Sequence, residues 1–113
     1  KPFIKSGEIK VWLSHMKNLA LHPNVYCKLS GMVTEADHDA WKKEDVFPFL
    51  DAVFEAFGSR RLMFGSDWPV CKLAAEYNTV CGLLSDYLSG FLISEQEMVW
   101  GKNTIEFYKL DLN

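Results

Sequence analysis

The sequence predicts an α/β fold with parallel strands. Three features carry that expectation: two short β-prone runs at residues 25–29 and 61–65, an amphipathic helical run between them, and a connection too long for a hairpin. Strands joined through a helix run in the same direction, because the crossover returns the chain to the same end of the sheet.

Residues 7–21 form the first helix expected, with Ile9, Trp12, Leu13, Met16, Leu19 and Ala20 at helical spacing and Glu8 in the first turn. His22-Pro23 ends it, since the residue before proline is driven out of the helical region. Val25 to Leu29 then reads as a strand that closes at Ser30-Gly31. Residues 34–43 are polar and irregular, which suits a functional loop. A second helix is expected over 45–57, with Val46, Leu50, Val53, Phe54 and Phe57 on one side, Pro48 confined to the first turn and Gly58 as the cap.

Residues 61–65 make the second strand and lead directly into Ser66-Asp67-Trp68-Pro69. Tyr77, Val80, Cys81, Leu84, Tyr87 and Leu88 mark a third helix ended by Gly90. Ser94 with Glu97, and Asn103 with Glu106, predict two short capped helices separated by Gly101. No linker or repeat divides the chain, so residues 1–113 are expected to belong to one domain.

Two parallel strands cannot cover both faces and both edges of a sheet. The expectation is therefore a piece of a (β/α)₈ barrel of about 250 residues, with the earlier strands supplied by other polypeptide. The alternative is a small non-catalytic α/β module that binds a partner through its open sheet edge.

Twelve basic and fifteen acidic residues give a net charge of −3 and a pI near 5.5. That balance lacks the basic face that nucleic acid or an anionic membrane would need. No apolar run approaches the roughly 18 residues of a membrane span, and no secretory signal is apparent, so a cytoplasmic protein with a small-molecule substrate is expected. The three cysteines, Cys27, Cys71 and Cys81, have no CxxC spacing and read as buried hydrophobes rather than as disulfides or metal ligands.

Parallel α/β folds bind ligands at the carboxyl ends of their strands. The first strand delivers Ser30 and Gly31 there, then the loop with Thr34, Glu35 and Trp41; the second delivers Ser66, Asp67 and Trp68. A carboxylate at a strand exit behind small residues can serve as a general base toward water or as a metal ligand, which singles out Asp67. A local turn cap would explain the same residue. Lys28, sharing a strand face with Tyr26 and Ser30, points either at a cavity or at solvent. Trp41 and Trp68 stand where an apolar wall for a small substrate would be. His15 and His22 fall away from the strand exits, His38 lies in the polar loop, and Phe47, Phe54, Phe57, Tyr77 and Tyr87 are expected in the core. The glycines read as punctuation; no nucleophile elbow, phosphate loop or HExxH helix is present.

Asn-Val-Tyr-Cys-Lys-Leu-Ser-Gly at 24–31, Thr-Glu-Ala at 34–36, Arg-Leu-Met-Phe-Gly-Ser-Asp-Trp-Pro-Val at 61–70, Trp-Gly-Lys-Asn at 100–103 and Phe107-Tyr108 together resemble the C-terminal part of the amidohydrolase superfamily. The branch most similar is the sugar-lactonase-like, fuconolactonase-related, metal-dependent hydrolases. The resemblance implies that the strands are the seventh and eighth of a TIM barrel, with the following helices closing it. It implies that Asp67 takes a proton from an attacking water and passes it to the leaving oxygen as a lactone opens. A divalent metal, zinc foremost, is implied with Asp67 as one ligand, although some branches work without metal; the family's metal-binding histidines match nothing in this chain. Lys28, Ser30, Glu35 and Trp68 are the residues expected, by position, to shape the substrate pocket. Decarboxylation, known in other branches, is the competing chemistry, and the chain alone is expected to be inactive.

Overall fold

A computed structural model describes residues 1–112. Helix α1 (Lys10–Ala20) precedes strand β1 (Cys27–Leu29), followed by a one-turn helix α2 (Met32–Glu35) and the long helix α3 (Lys43–Phe57). A 3₁₀ turn (Ser59–Arg61) leads into strand β2 (Leu62–Phe64), and a second one (Val70–Leu73) follows it. Helix α4 (Tyr77–Leu88) comes next, then α5 (Ile93–Glu97), a π-helical turn (Met98–Lys102) and α6 (Asn103–Tyr108).

The two strands pair in parallel, with Cys27 opposite Leu62, Lys28 opposite Met63 and Leu29 opposite Phe64. The expected strand–helix–strand unit is therefore present. Leu29 and Leu62 turn toward a core built with Val46, Leu50, Val53 and Phe57 of α3 and with Leu84 and Leu88 of α4. Each such fully buried side chain stabilises the fold by about 1.5–3 kcal/mol. Lys28 and Met63 face the other side, as alternation along a strand requires. There α6 approaches: Phe107 stacks at 4.8 Å on Tyr26, and Tyr108 lies under the Lys28 ammonium at 5.7 Å.

Several local expectations are corrected. Helix α1 begins at Lys10, because Gly7 adopts a left-handed conformation (φ 74°) and Phe3 bridges Glu8; Glu8 thus precedes the helix. Helix α3 begins at Lys43, where the Asp45 carboxylate accepts the Lys42 N–H at 2.9 Å. Pro48 consequently lies inside the helix rather than in its first turn, on the exposed face. Gly58 closes α3 as expected, donating its N–H to Phe54 at 2.9 Å. Tyr77, expected in the core, opens α4 and is 47% exposed.

The tail departs furthest from the sequence reading. Leu92, rather than Ser94, precedes α5, and its N–H is taken by Glu95. Gly101 does not separate two helices, since the π-helical turn carries the backbone continuously from α5 into α6. Asn103 is no cap: it is 3% exposed, and its side-chain amide donates to the carbonyls of Ser59 (2.6 Å) and Leu62 (2.9 Å). A buried amide must spend its donors on backbone acceptors, and here it ties the last helix to the start of β2.

Arg61 does the same on a larger scale. Its guanidinium donates to Ala20 and His22 at 2.9 Å, to Val25 at 3.2 Å and to Phe57 at 3.3 Å, while stacking over the Phe57 ring. The carbonyls left over at the ends of α1 and α3 thus meet one positive charge.

Candidate functional site

The carboxyl ends of β1 and β2 meet in a seam of small residues. Beyond Leu29 the pairing continues by one bond, from the Gly65 N–H to the Leu29 carbonyl at 3.1 Å. A methyl group placed on Gly65 would lie 3.0 Å from both Cβ and Oγ of Ser30. One on Gly31 would lie 3.2 Å from Oδ2 of Asp67. Each strand exit therefore gives up a side chain where the other places one. The glycines at 31 and 65, read from sequence as punctuation, are parts of the site; their signal was the appearance of glycine beside serine at both strand exits.

Asp67 turns the chain sharply, with φ 58°, a left-handed conformation that aspartate tolerates better than most residues. Its carbonyl accepts the N–H of buried Cys71 at 2.8 Å, which fixes the backbone. Ser66 Oγ accepts the Trp68 N–H at 3.2 Å, and the following Trp68–Pro69 peptide is cis. The Asp67 side chain is half-buried and crosses to Gly31 on the neighbouring strand. A cap confined to its own turn would not reach there.

Lys1 and Glu35 form an ion pair at 2.9 Å. The Glu35 hydrogen bond and charge hold the Lys1 ammonium above the ordinary lysine value, and the Asp67 carboxylate adds to the effect. Three charges thus share one patch at the strand exits. Lys1 was not anticipated as part of it. Lys1, Lys28, Ser30, Gly31 and Glu35 border one cavity of about 200 Å³, which continues between α1 and α3 over Trp12 and Phe49.

Of the residues singled out from sequence, Lys28, Ser30 and Glu35 are brought together at this cavity, and Asp67 adjoins it across Gly31. The Lys28 ammonium, however, sits over Tyr108 of α6. Trp68 follows Asp67 but turns outward and is 64% exposed. Trp41 is not a free wall: its indole N–H donates to the Ala74 carbonyl at 2.9 Å, fastening the polar loop to the segment after β2. His38 lies 2.9 Å from the Thr34 carbonyl in α2, the short helix that takes up the start of the expected loop. Burial pushes the Cys27 thiol up to about 11, so it holds almost no thiolate at neutral pH and is a poor nucleophile.

Among the described residues no three histidine, cysteine, aspartate or glutamate side chains cluster as a metal centre would require. These residues alone do not fit a divalent ion, for which Asp67 is a single donor. Among the described residues no helix is long and apolar enough to cross a membrane.

Comparison with known proteins gives this geometry a lineage. A lactonase of Burkholderia multivorans named L-fucono-1,5-lactonase is 42% identical over 107 residues, covering 88% of this chain and 35% of its own. The L-rhamnono-gamma-lactonase of Scheffersomyces stipitis is 30% identical over 99 residues, covering 78% of this chain and 29% of its own. The chain therefore spans about a third of the length of the curated relatives it matches. A crystal structure of an amidohydrolase from Burkholderia multivorans with bound zinc superposes with a TM-score of 0.94 at 39% identity, over 98% of this chain and 42% of that one. The family model described as amidohydrolase matches residues 1–110. With nearly its whole length matched, the chain belongs to the amidohydrolase family.

Proposed function

We propose that this chain supplies the last two strand–helix units of a (β/α)₈ barrel enzyme that opens a sugar lactone with water. The observation that carries the proposal is the Asp67 carboxylate: half-buried at a strand exit, turned across the seam to Gly31, with its backbone held independently of its side chain. The names of its relatives, a fuconolactonase and a rhamnonolactonase, support a sugar-acid lactone as the substrate class.

In this reading Asp67 accepts a proton from water as the oxygen attacks the lactone carbonyl, and returns it to the ring oxygen as the ester bond breaks. Ser30, Glu35 and Lys28 border the sugar hydroxyls, while Trp68 provides an apolar flank at the mouth. The remaining walls come from an N-terminal barrel segment. A divalent ion, such as the zinc of the Burkholderia structure, would take its other ligands from that segment.

The test is Asp67→Asn in the full-length protein that carries these residues, assayed on a panel of aldonolactones. Activity should fall by about a hundredfold or more, the usual contribution of a positioned acid/base. Retention of most activity would remove Asp67 from the mechanism. Residues 1–113 alone should show no turnover, because one carboxylate without the opposite wall cannot hold a substrate.

A further inference from the structure

We propose that Gly31 is a positioning residue for Asp67: the side chain missing at position 31 is the seat that sets the direction of the Asp67 carboxylate. The inference rests on the lactonase reading and deepens it, naming what holds the acid/base in place.

Two constraints make the seat rigid on the glycine side. Gly31 is buried, and its carbonyl accepts the Thr34 hydroxyl at 2.9 Å. The helix it starts is pinned by buried Val33, and the buried Ala36 follows it, so the backbone cannot retreat. A methyl group at 31 would stand 3.2 Å from Oδ2 and 3.7 Å from Cγ of Asp67. The Asp67 backbone is tied through its carbonyl to Cys71. What can yield is the Asp67 side-chain torsion, so the carboxylate would swing while the fold stayed intact.

Glycine at this position also has a simpler explanation, its left-handed φ of 71°. Gly58 separates the two: it has the same φ of 71° with ψ 165°, against ψ 19° at Gly31, yet a methyl group there meets nothing within 4 Å. Gly58→Ala therefore carries the greater conformational strain, since its region of φ and ψ is nearly confined to glycine, and only Gly31→Ala crowds a carboxylate.

Both variants are compared with the full-length protein by aldonolactone kinetics and by ¹³C NMR of aspartate-labelled protein, with the Asp67 carboxyl resonance assigned through Asp67→Asn. Gly31→Ala should move that resonance and lower kcat by about tenfold with KM unchanged, since small misplacements of a catalytic group act on the rate. Gly58→Ala should leave both as in the wild type. An Asp67 resonance unmoved by Gly31→Ala, or a moved resonance with unchanged kcat, overturns the proposal. If the wild-type protein opens no lactone, the functional reading fails, and the resonance alone still decides whether Gly31 seats the carboxylate. If Gly31→Ala does not fold, Gly31→Asn, which tolerates the left-handed conformation, brings the same crowding to the same two readouts.

Discussion

The two ends of the β1–β2 pair are secured by different means. At the amino ends, Arg61 and Asn103 reach across the chain and saturate carbonyls of α1, α3 and β2 with charged or buried donors. At the carboxyl ends, glycine at 65 leaves Ser30 its space and glycine at 31 leaves Asp67 its space, the backbone is left-handed at Gly31 and Asp67, and Trp68 lies open to solvent. One end is cross-braced; the other is cleared. A fold that concentrates its bracing away from its carboxylate can tolerate a strained turn where chemistry would occur.

The sharpest test of the contrast is Arg61→Ala. Four carbonyls lose a donor at once, those of Ala20, His22, Val25 and Phe57, and His22 alone keeps a second, the Val25 N–H. Hydrogen bonds to a charged group are worth roughly 1.5–3 kcal/mol each but do not add fully, so about 3 kcal/mol should be lost on chemical denaturation. Arg61→Lys should recover only part of this, because an ammonium lacks the planar fork that reaches several acceptors. A loss within the range of ordinary surface substitutions would show that this end is not braced as described.

Asn103→Asp should cost about 2 kcal/mol at neutral pH. The shape is retained, but the two donors facing Ser59 and Leu62 become acceptors facing carbonyl oxygens. The readout that distinguishes a brace from general packing is hydrogen exchange: protection should fall in both α6 and β2, the elements this one amide links.

These braces explain how far the sequence could be read. The strand–helix–strand unit was legible because apolar periodicity and a capping glycine are local signals, and the position of Asp67 just beyond the second strand was legible from the apolar run before it. Arg61 read as the first residue of a strand, and Asn103 as a helix cap, because, the nearby Phe57 carbonyl aside, their partners lie about forty residues away and nothing local announces them. Tyr77 carried the right periodicity for the core, yet it falls in the exposed first turn of α4. The space left by Gly31 and Gly65 was invisible for the same reason, since a missing side chain acquires meaning only when its neighbour across the sheet is known.

At the carboxyl ends Gly65→Ala should cost about 1–2 kcal/mol through overpacking. The crowded atom is Ser30 Cβ, next to backbone and unable to swing aside. Ser30→Gly should therefore restore most of the loss in the double variant beyond the sum of the single effects. Additive behaviour would mean that the two exits do not interlock and that the seam is only two turns lying side by side.

Trp68→Phe should have the smallest effect on stability, within about 0.5 kcal/mol, as for surface substitutions generally. Its side chain is largely exposed, and the bond that fixes its backbone, from its N–H to Ser66 Oγ, does not involve the ring. On that outcome a large aromatic beside the Asp67 carboxylate would be held there at no gain in stability. If Trp68→Phe destabilised the chain as much as Asn103→Asp, the carboxyl ends would be braced like the amino ends, and the separation of stability from chemistry along the strands would fail. If stability holds while KM for the lactone rises in the full-length protein, Trp68 acts on the substrate and the separation stands.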